Sequence, residues 1–206
     1  MARGKLITIE GLDGAGKTTL ASALHAALQD RGLDAQLLRE PGGVRAAELI
    51  RGLVKDPALE ISARAEALLY AAARAQLVEE ALEPLLSAGV IVLLDRFVDS
   101  SLAYQGAGRE LGVEPVRSIN AFATGGLSPD LTLLLRVAPS VGRERSLERA
   151  APLDRLEREA EPFFARIAAA YDELARSEPG RIYVLDADQT PADVLTAALA
   201  ALAPLL

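Results

Sequence analysis

Ile9-Glu10-Gly11-Leu12-Asp13-Gly14-Ala15-Gly16-Lys17-Thr18-Thr19 is the stretch that decides the fold. Gly11-Leu12-Asp13-Gly14-Ala15-Gly16-Lys17-Thr18 is a full G-x-x-x-x-G-K-[ST] pattern. It follows an apolar run at 5–10 and opens a helical stretch, the context in which the pattern carries meaning. The glycines let successive backbone N–H groups curl around a di- or triphosphate, and the helix amino terminus adds its partial positive charge. Lys17 then reaches the β/γ oxygens, and the Thr18 hydroxyl stands where Mg²⁺ needs a ligand. Gly11, Leu12, Asp13, Gly14, Ala15, Gly16, Lys17, Thr18 and Thr19 are therefore expected to hold ATP.

Outward from this loop, four more short apolar runs, at 35–39, 90–95, 131–137 and 181–186, are bounded by turn or polar residues and predict buried parallel strands. Alanine- and leucine-rich stretches with helical spacing lie between and around them, at about 17–31, 44–54, 63–88, 113–124, 140–150, 155–176 and 191–204. Alternation of this kind predicts an α/β protein of the P-loop NTPase fold, a five-stranded parallel sheet flanked by helices on both faces. Its ligands are expected at the carboxyl ends of the strands. Val90-Ile91-Val92-Leu93-Leu94-Asp95 ends in an acid at that edge. Asp95 is either a second Mg²⁺-organising carboxylate or an ordinary strand-ending aspartate in a turn.

The chain has 206 residues, which at about 150 residues per domain favours one domain, 1–206, with an excursion or lid. Its 50% hydrophobic and 25% charged residues are an ordinary globular mixture and exclude disordered and fibrous classes. No cysteine is present, so disulfide frameworks, thiolate nucleophiles and cysteine-ligated metals fall away. His25, the one histidine, excludes most histidine-based metal sites and reads as an exposed bystander. The start lacks a signal-peptide core, and no apolar run approaches the ~18 residues of a membrane span; a cytoplasmic protein without a membrane partner is expected. The net charge of −7 argues against nucleic acid as a partner. Charge of both signs is dense at 143–158, which on charge alone is as readily a solvated helix face with i,i+4 pairs as a functional segment.

Asp95-Arg96-Phe97, followed by Ser100-Ser101 and Ala103-Tyr104-Gln105-Gly106, resembles the signature segment of thymidylate kinases. Other pieces match that family in order: the phosphate loop with an acid at Asp13, Arg39-Glu40-Pro41-Gly42-Gly43 with Arg51 beyond it, and the helix from Tyr70 to Glu79. Pro129-Asp130-Leu131-Thr132-Leu133 and Leu153-Asp154-Arg155-Leu156-Glu157 complete the set. The likeness covers about 5–190.

The resemblance implies an ATP-dependent kinase that phosphorylates dTMP to dTDP, with Mg²⁺ carried by ATP and a homodimer formed through helices including part of 63–88. It further implies that Tyr70 stacks on thymine and Arg74, four residues on and so on the same helix face, donates to its O4. Arg51 and Arg96 clamp the 5′-phosphate, a dianion suited to forked donors. Asp13 accepts from the sugar 3′-hydroxyl, Tyr104 crowds the 2′ position, Ser101 and Gln105 line thymine and sugar, and Glu40 belongs to the substrate side. Thr18 and Asp95 serve the metal. The loop positions Leu12, Asp13, Gly14 and Ala15 carry no cation, so the charge that stabilises the transferring phosphoryl must come from elsewhere. Arg155 in the lid at 143–158 is the first choice, acting with Lys17 and Arg96. Arg149 is a second candidate off the usual spacing, and Arg145 packs on the adenine or the ATP phosphates. The acceptor phosphate, with a second pKa near 6, is largely ionised at pH 7, so no general base is required. Two rivals remain: a kinase for another nucleoside monophosphate, and a P-loop switch that binds ATP without an acceptor.

Overall fold

In the computed structural model, which describes residues 3–148 and 154–206, the strands are β1 (Leu6–Gly11), β2 (Ala35–Arg39), β3 (Ile91–Asp95), β4 (Leu131–Arg136) and β5 (Ile182–Asp186). All pairings are parallel, in the order β2-β3-β1-β4-β5. The register aligns Arg39 and Ile9 with Asp95, and Gly11 with Leu135, so β1, β2 and β3 release their chains at one edge. Lys17–Asp30 forms α1, Arg45–Lys55 α2, Ala63–Leu77 α3, Glu83–Ser87 α4, Val98–Ser101 α5, Val113–Thr124 α6, Pro139–Leu147 α7, Glu161–Ser177 α8 and Pro191–Leu202 α9.

Successive strand residues feed opposite faces. Ile7, Ile9 and Leu93 join Leu20, Leu24 and Leu28 of α1 and Val194, Ala198 and Leu202 of α9 in one cluster. Leu6, Val92 and Leu94 join Leu77, Val78, Leu82 and Leu86 in a second. Burial on both faces is why β1 and β3 carry near-continuous apolar runs. His25 is part-buried rather than exposed, because its Nε2 lies 2.9 Å from the Ala35 carbonyl on the adjoining β2.

Two expected helices differ, and one helical segment had not been expected. The 63–88 stretch is interrupted by a π-helical turn at Val78–Leu82 before α4. Pro84 has no N–H for the normal ladder, and the Glu83 N–H instead reaches the Val78 carbonyl five residues back. The stretch expected to be helical from 155 begins only at Glu161. The Asp154 carboxylate accepts from the N–H groups of Leu156 and Glu157, each at 3.0 Å, a local turn that competes with helix, and Pro162 then sits in the first turn of α8. The segment after β3, not assigned from sequence, forms α5 and a π-helical turn at Leu102–Gly108.

Candidate functional site

The β1 to α1 connection is the residue-level origin of the site. Gly14 has φ +77°, and a Cβ there would lie 2.0 Å from the Gly142 carbonyl oxygen of α7. The phosphate loop therefore packs backbone to backbone on α7, which only glycine permits. Gly16, at φ +92°, turns the chain into α1, whose first N–H groups are left for an anion. Lys17 lies beneath the loop and donates to the Leu12 carbonyl at 2.8 Å. Burial and the nearby Arg96 push its ammonium down to about 8, against Asp13, Asp95 and Glu10. The Thr18 hydroxyl donates to the Asp95 carboxylate at 2.9 Å, so two hard oxygen donors face each other at the mouth of the loop.

Opposite the loop, one cleft of about 390 Å³ is lined by Asp13, Gly14, Gly16, Lys17, Thr18, Thr19, Glu40, Arg51, Tyr70, Arg74, Asp95, Arg96, Ser101, Tyr104, Gln105 and Arg145. Of the expected site residues, Gly11, Leu12, Ala15 and Arg155 do not line it. Gly11, Leu12 and Ala15 are buried as the loop's own support.

Arg96 enters from the end of β3 with φ +71°. Its Nη2 donates to Asp13 at 2.6 Å and its Nη1 to the Gly11 carbonyl and to Ser100, both at 3.1 Å. The Tyr104 hydroxyl donates to the other Asp13 oxygen at 2.9 Å. Burial would raise the Asp13 carboxyl, but Arg96 and Lys17 outweigh it and hold it well below the usual carboxylate range. Among the described residues the Arg96 Nε makes no hydrogen bond, which leaves an N–H for a ligand.

Tyr70 and Arg74 share one face of α3, as their spacing requires. Arg74 is 2% exposed, and all five of its N–H groups are engaged. Nε and Nη2 donate to Glu40 Oε2 at 2.8 and 2.5 Å, Nη2 also to the Phe97 carbonyl, and Nη1 to Ser101 and Asn120. A ligand carbonyl that accepts from Arg74 must therefore displace one of these partners. Glu40 Oε1 is buried without a partner among the described residues, and burial, opposed by Arg74, raises its carboxyl. Arg51 donates to the Pro41 carbonyl at 2.8 Å. Arg145 is held over the cleft by the Ala187 carbonyl at 3.0 Å and by Asp188 at 3.5 Å.

Arg155 is the largest departure from expectation. Its Nη2 pairs with Glu66 at 2.6 Å and its Nε donates to the Val54 carbonyl at 3.1 Å. A buried carboxylate holds a guanidinium more firmly than water does, so this arginine stands outside the cleft. Arg149 and Leu153 lie outside the described residues.

Several residues of the site had been given no individual role from sequence, although all but Lys55 and Glu66 stand in the quoted motifs. Arg39, Pro41, Lys55, Ser100, Asp154, Leu156 and Glu157 also line the cleft. Lys55 pairs with Asp154 at 2.7 Å. Glu66, with no exposed surface, gathers Gln105 at 2.9 Å, Arg109 at 3.2 Å and Arg155. One signal could have found it, since Glu66, Tyr70 and Arg74 stand at i, i+4 and i+8 on one face of α3.

A cleft with cations on both walls and an anion-binding loop on one side can hold two polyanions end to end, the arrangement that phosphoryl transfer between nucleotides requires. The fold and cleft thus define the class of ATP-dependent nucleoside monophosphate kinases. Comparison with known proteins narrows the class. The family model for thymidylate kinase matches residues 9–198. Thymidylate kinase of Oenococcus oeni is 51% identical over 97% of this chain and 95% of its own. The enzyme of Deinococcus radiodurans is 48% identical over 96% and 95%, and that of Halorhodospira halophila 44% identical over 99% and 96%. The chain belongs to the thymidylate kinase family. No helix among the described residues is long and apolar enough to cross a membrane.

Proposed function

We propose that this chain transfers the γ-phosphoryl of ATP to the 5′-phosphate of dTMP, giving ADP and dTDP, and that it works in the cytoplasm. The observation that carries the reading is the single cleft in which the phosphate loop faces Arg51, Arg96, Tyr70 and Arg74. The Gly11 to Thr19 loop holds the ATP phosphates, with Lys17 on the β/γ oxygens and Arg145 beside the adenine. A dTMP phosphate oxygen attacks the γ-phosphorus as the bond to the β/γ-bridging oxygen breaks. Arg51 and Arg96 hold that acceptor phosphate. Tyr70 stacks on thymine, with Arg74 and Glu40 fixed behind it and Ser101 and Gln105 beside base and sugar. Asp13 accepts from the 3′-hydroxyl, and Tyr104, pinned to Asp13, crowds the 2′ position.

Mg²⁺ fits this donor set: Thr18 and Asp95 would hold it, and it would neutralise charge on the ATP phosphates when bound. The segment at 143–158 serves as a lid. Arg155 supplies charge to the transferring phosphoryl after leaving Glu66, so lid rearrangement precedes chemistry and guards against hydrolysis. A homodimer is supported by Leu49, Leu53, Leu68 and Phe122, which are 69%, 48%, 55% and 92% exposed on α2, α3 and α6, three helices packed side by side with α3 between.

The acceptor half is tested by calorimetric titration without ATP. dTMP binds at one site, thymidine binds at least about tenfold more weakly for lack of the phosphate, and Arg51→Ala removes most of that difference. Equal binding of dTMP and thymidine would refute the phosphate clamp.

A further inference from the structure

The next-to-last residue of β1, Glu10, belongs neither to the phosphate loop nor to the lining of the cleft. Glu10 has no exposed surface, and a carboxylate away from water needs donors or a proton. Its Oε1 accepts from the backbone N–H groups of Phe97 at 2.7 Å and Ser100 at 3.2 Å. Its Oε2 accepts from the hydroxyls of Ser100 at 2.5 Å and Tyr171 at 2.9 Å. Four donors from two distant parts of the chain thus converge on one carboxyl group.

These donors surround the turn that carries Arg96. A non-glycine residue at φ +71° persists only where its surroundings over-determine it. The two amides that follow Arg96 and point to Glu10 supply that determination. Ser100 has one hydroxyl proton, and in giving it to Glu10 it turns its lone pairs outward, where the Arg96 Nη1 donates to Oγ at 3.1 Å. Tyr171, on α8, stands 3.0 Å from the same Oγ. The charged groups around Glu10 are Asp99 of α5, Arg96 at the end of β3 and Lys17 of α1. Burial first and then Asp99 push its carboxyl up to about 7, against Ser100, Arg96 and the Phe97 N–H.

We propose that Glu10 is a positioning residue for the acceptor-phosphate clamp: through Ser100 and the amides of Phe97 and Ser100 it fixes Arg96, and through Tyr171 it ties that arginine to α8, the helix that follows the lid. The inference rests on the assignment of Arg96 to the acceptor phosphate. Glu10 itself touches no ligand.

Steady-state kinetics of Glu10→Gln, Tyr171→Phe and Arg96→Ala, with thermal melting to establish folding, test it. Glutamine keeps the shape but presents an amide nitrogen to one pair of former donors, so the Ser100 and Tyr171 hydroxyls must turn. Glu10→Gln raises the dTMP KM about tenfold while the ATP KM changes less than about threefold, and Tyr171→Phe moves the dTMP KM in the same direction by about threefold. Equal loss towards both substrates, or an unchanged dTMP KM in a folded variant, would overturn the proposal, because Glu10 would then support the phosphate loop or only the fold. If Glu10→Gln does not fold, Tyr171→Phe, which removes one hydroxyl and leaves the Glu10 carboxylate its other three donors, is judged by the same split. Arg96→Ala separates the two layers. An unchanged dTMP KM there refutes the clamp assignment itself, whereas a raised KM there with none in the folded Glu10 and Tyr171 variants refutes the positioning role alone.

Discussion

At the scale of single residues the cleft is a set of charges placed before any ligand arrives. Among the described residues Lys17 pairs with no carboxylate; it donates to a carbonyl inside a buried loop, and its proton is held less firmly than that of an ordinary lysine. The consequence for binding has a definite sign. Above about pH 8 the free protein loses this proton, and ATP phosphates favour the protonated form, so binding must take a proton up. The ATP dissociation constant is therefore expected to rise by up to about tenfold per pH unit between pH 8 and 9.5, whereas that of dTMP changes little. Titration of both nucleotides across that range checks it; a flat ATP profile would contradict the account of Lys17. Asp13 behaves oppositely. Its carboxyl is held so low by Arg96 and Lys17 that it stays ionised throughout any working range and remains an acceptor.

At the scale of elements, the buried strands were legible because burial on both faces leaves a continuous apolar run, and the phosphate loop because its glycines and lysine have fixed spacing. α5 and the π-helical turn after it were not legible, since their Asp99, Ser100, Ser101 and Gln105 are polar yet buried; no periodicity marks residues buried for their hydrogen bonds. The break in the 63–88 helix had a signal in Pro84, and the late start of α8 had one in Asp154 and Pro162. The place of Arg155 had none. Its partners Val54 and Glu66 lie 101 and 89 residues away, and a sequence motif says nothing about which distant carboxylate holds an arginine.

That contact also predicts an outcome at the scale of elements. Glu66 of α3 joins the Gln105 amide, Arg109 and Arg155, and under the proposed function it holds Arg155 away from the phosphates until the lid rearranges. Replacing Glu66 by Gln weakens this hold. Hydrolysis of ATP without acceptor is then expected to rise about threefold or more, while Arg155→Ala lowers dTMP-dependent turnover by about a hundredfold or more with little change in dTMP affinity. Both are read as ADP release with and without dTMP. Unchanged acceptor-free hydrolysis in Glu66→Gln would show that the contact with Arg155 does not restrain the lid, and near-normal turnover of Arg155→Ala would remove that arginine from the chemistry.

At the scale of the whole molecule, strand order decides what can meet. β3 lies beside β1, so the Arg96 turn and the phosphate loop leave adjacent strands at the same edge, and Arg39 and Glu40 leave β2 one strand further along. α7 packs on the phosphate loop through Gly14 and Gly142, and α2 reaches Arg155 and Asp154 through Val54 and Lys55. The two halves of a phosphoryl transfer thus open on one cleft, and both connect to the segment proposed as its lid. The most direct measurement of this account is ADP release with Mg²⁺ and ATP against dTMP, dUMP, dCMP, dAMP, dGMP, UMP and thymidine, beside a control without acceptor. Turnover with dTMP far above all others, weaker use of dUMP and none with thymidine is the predicted result. Dominance of another monophosphate, or ADP release independent of acceptor, would contradict it.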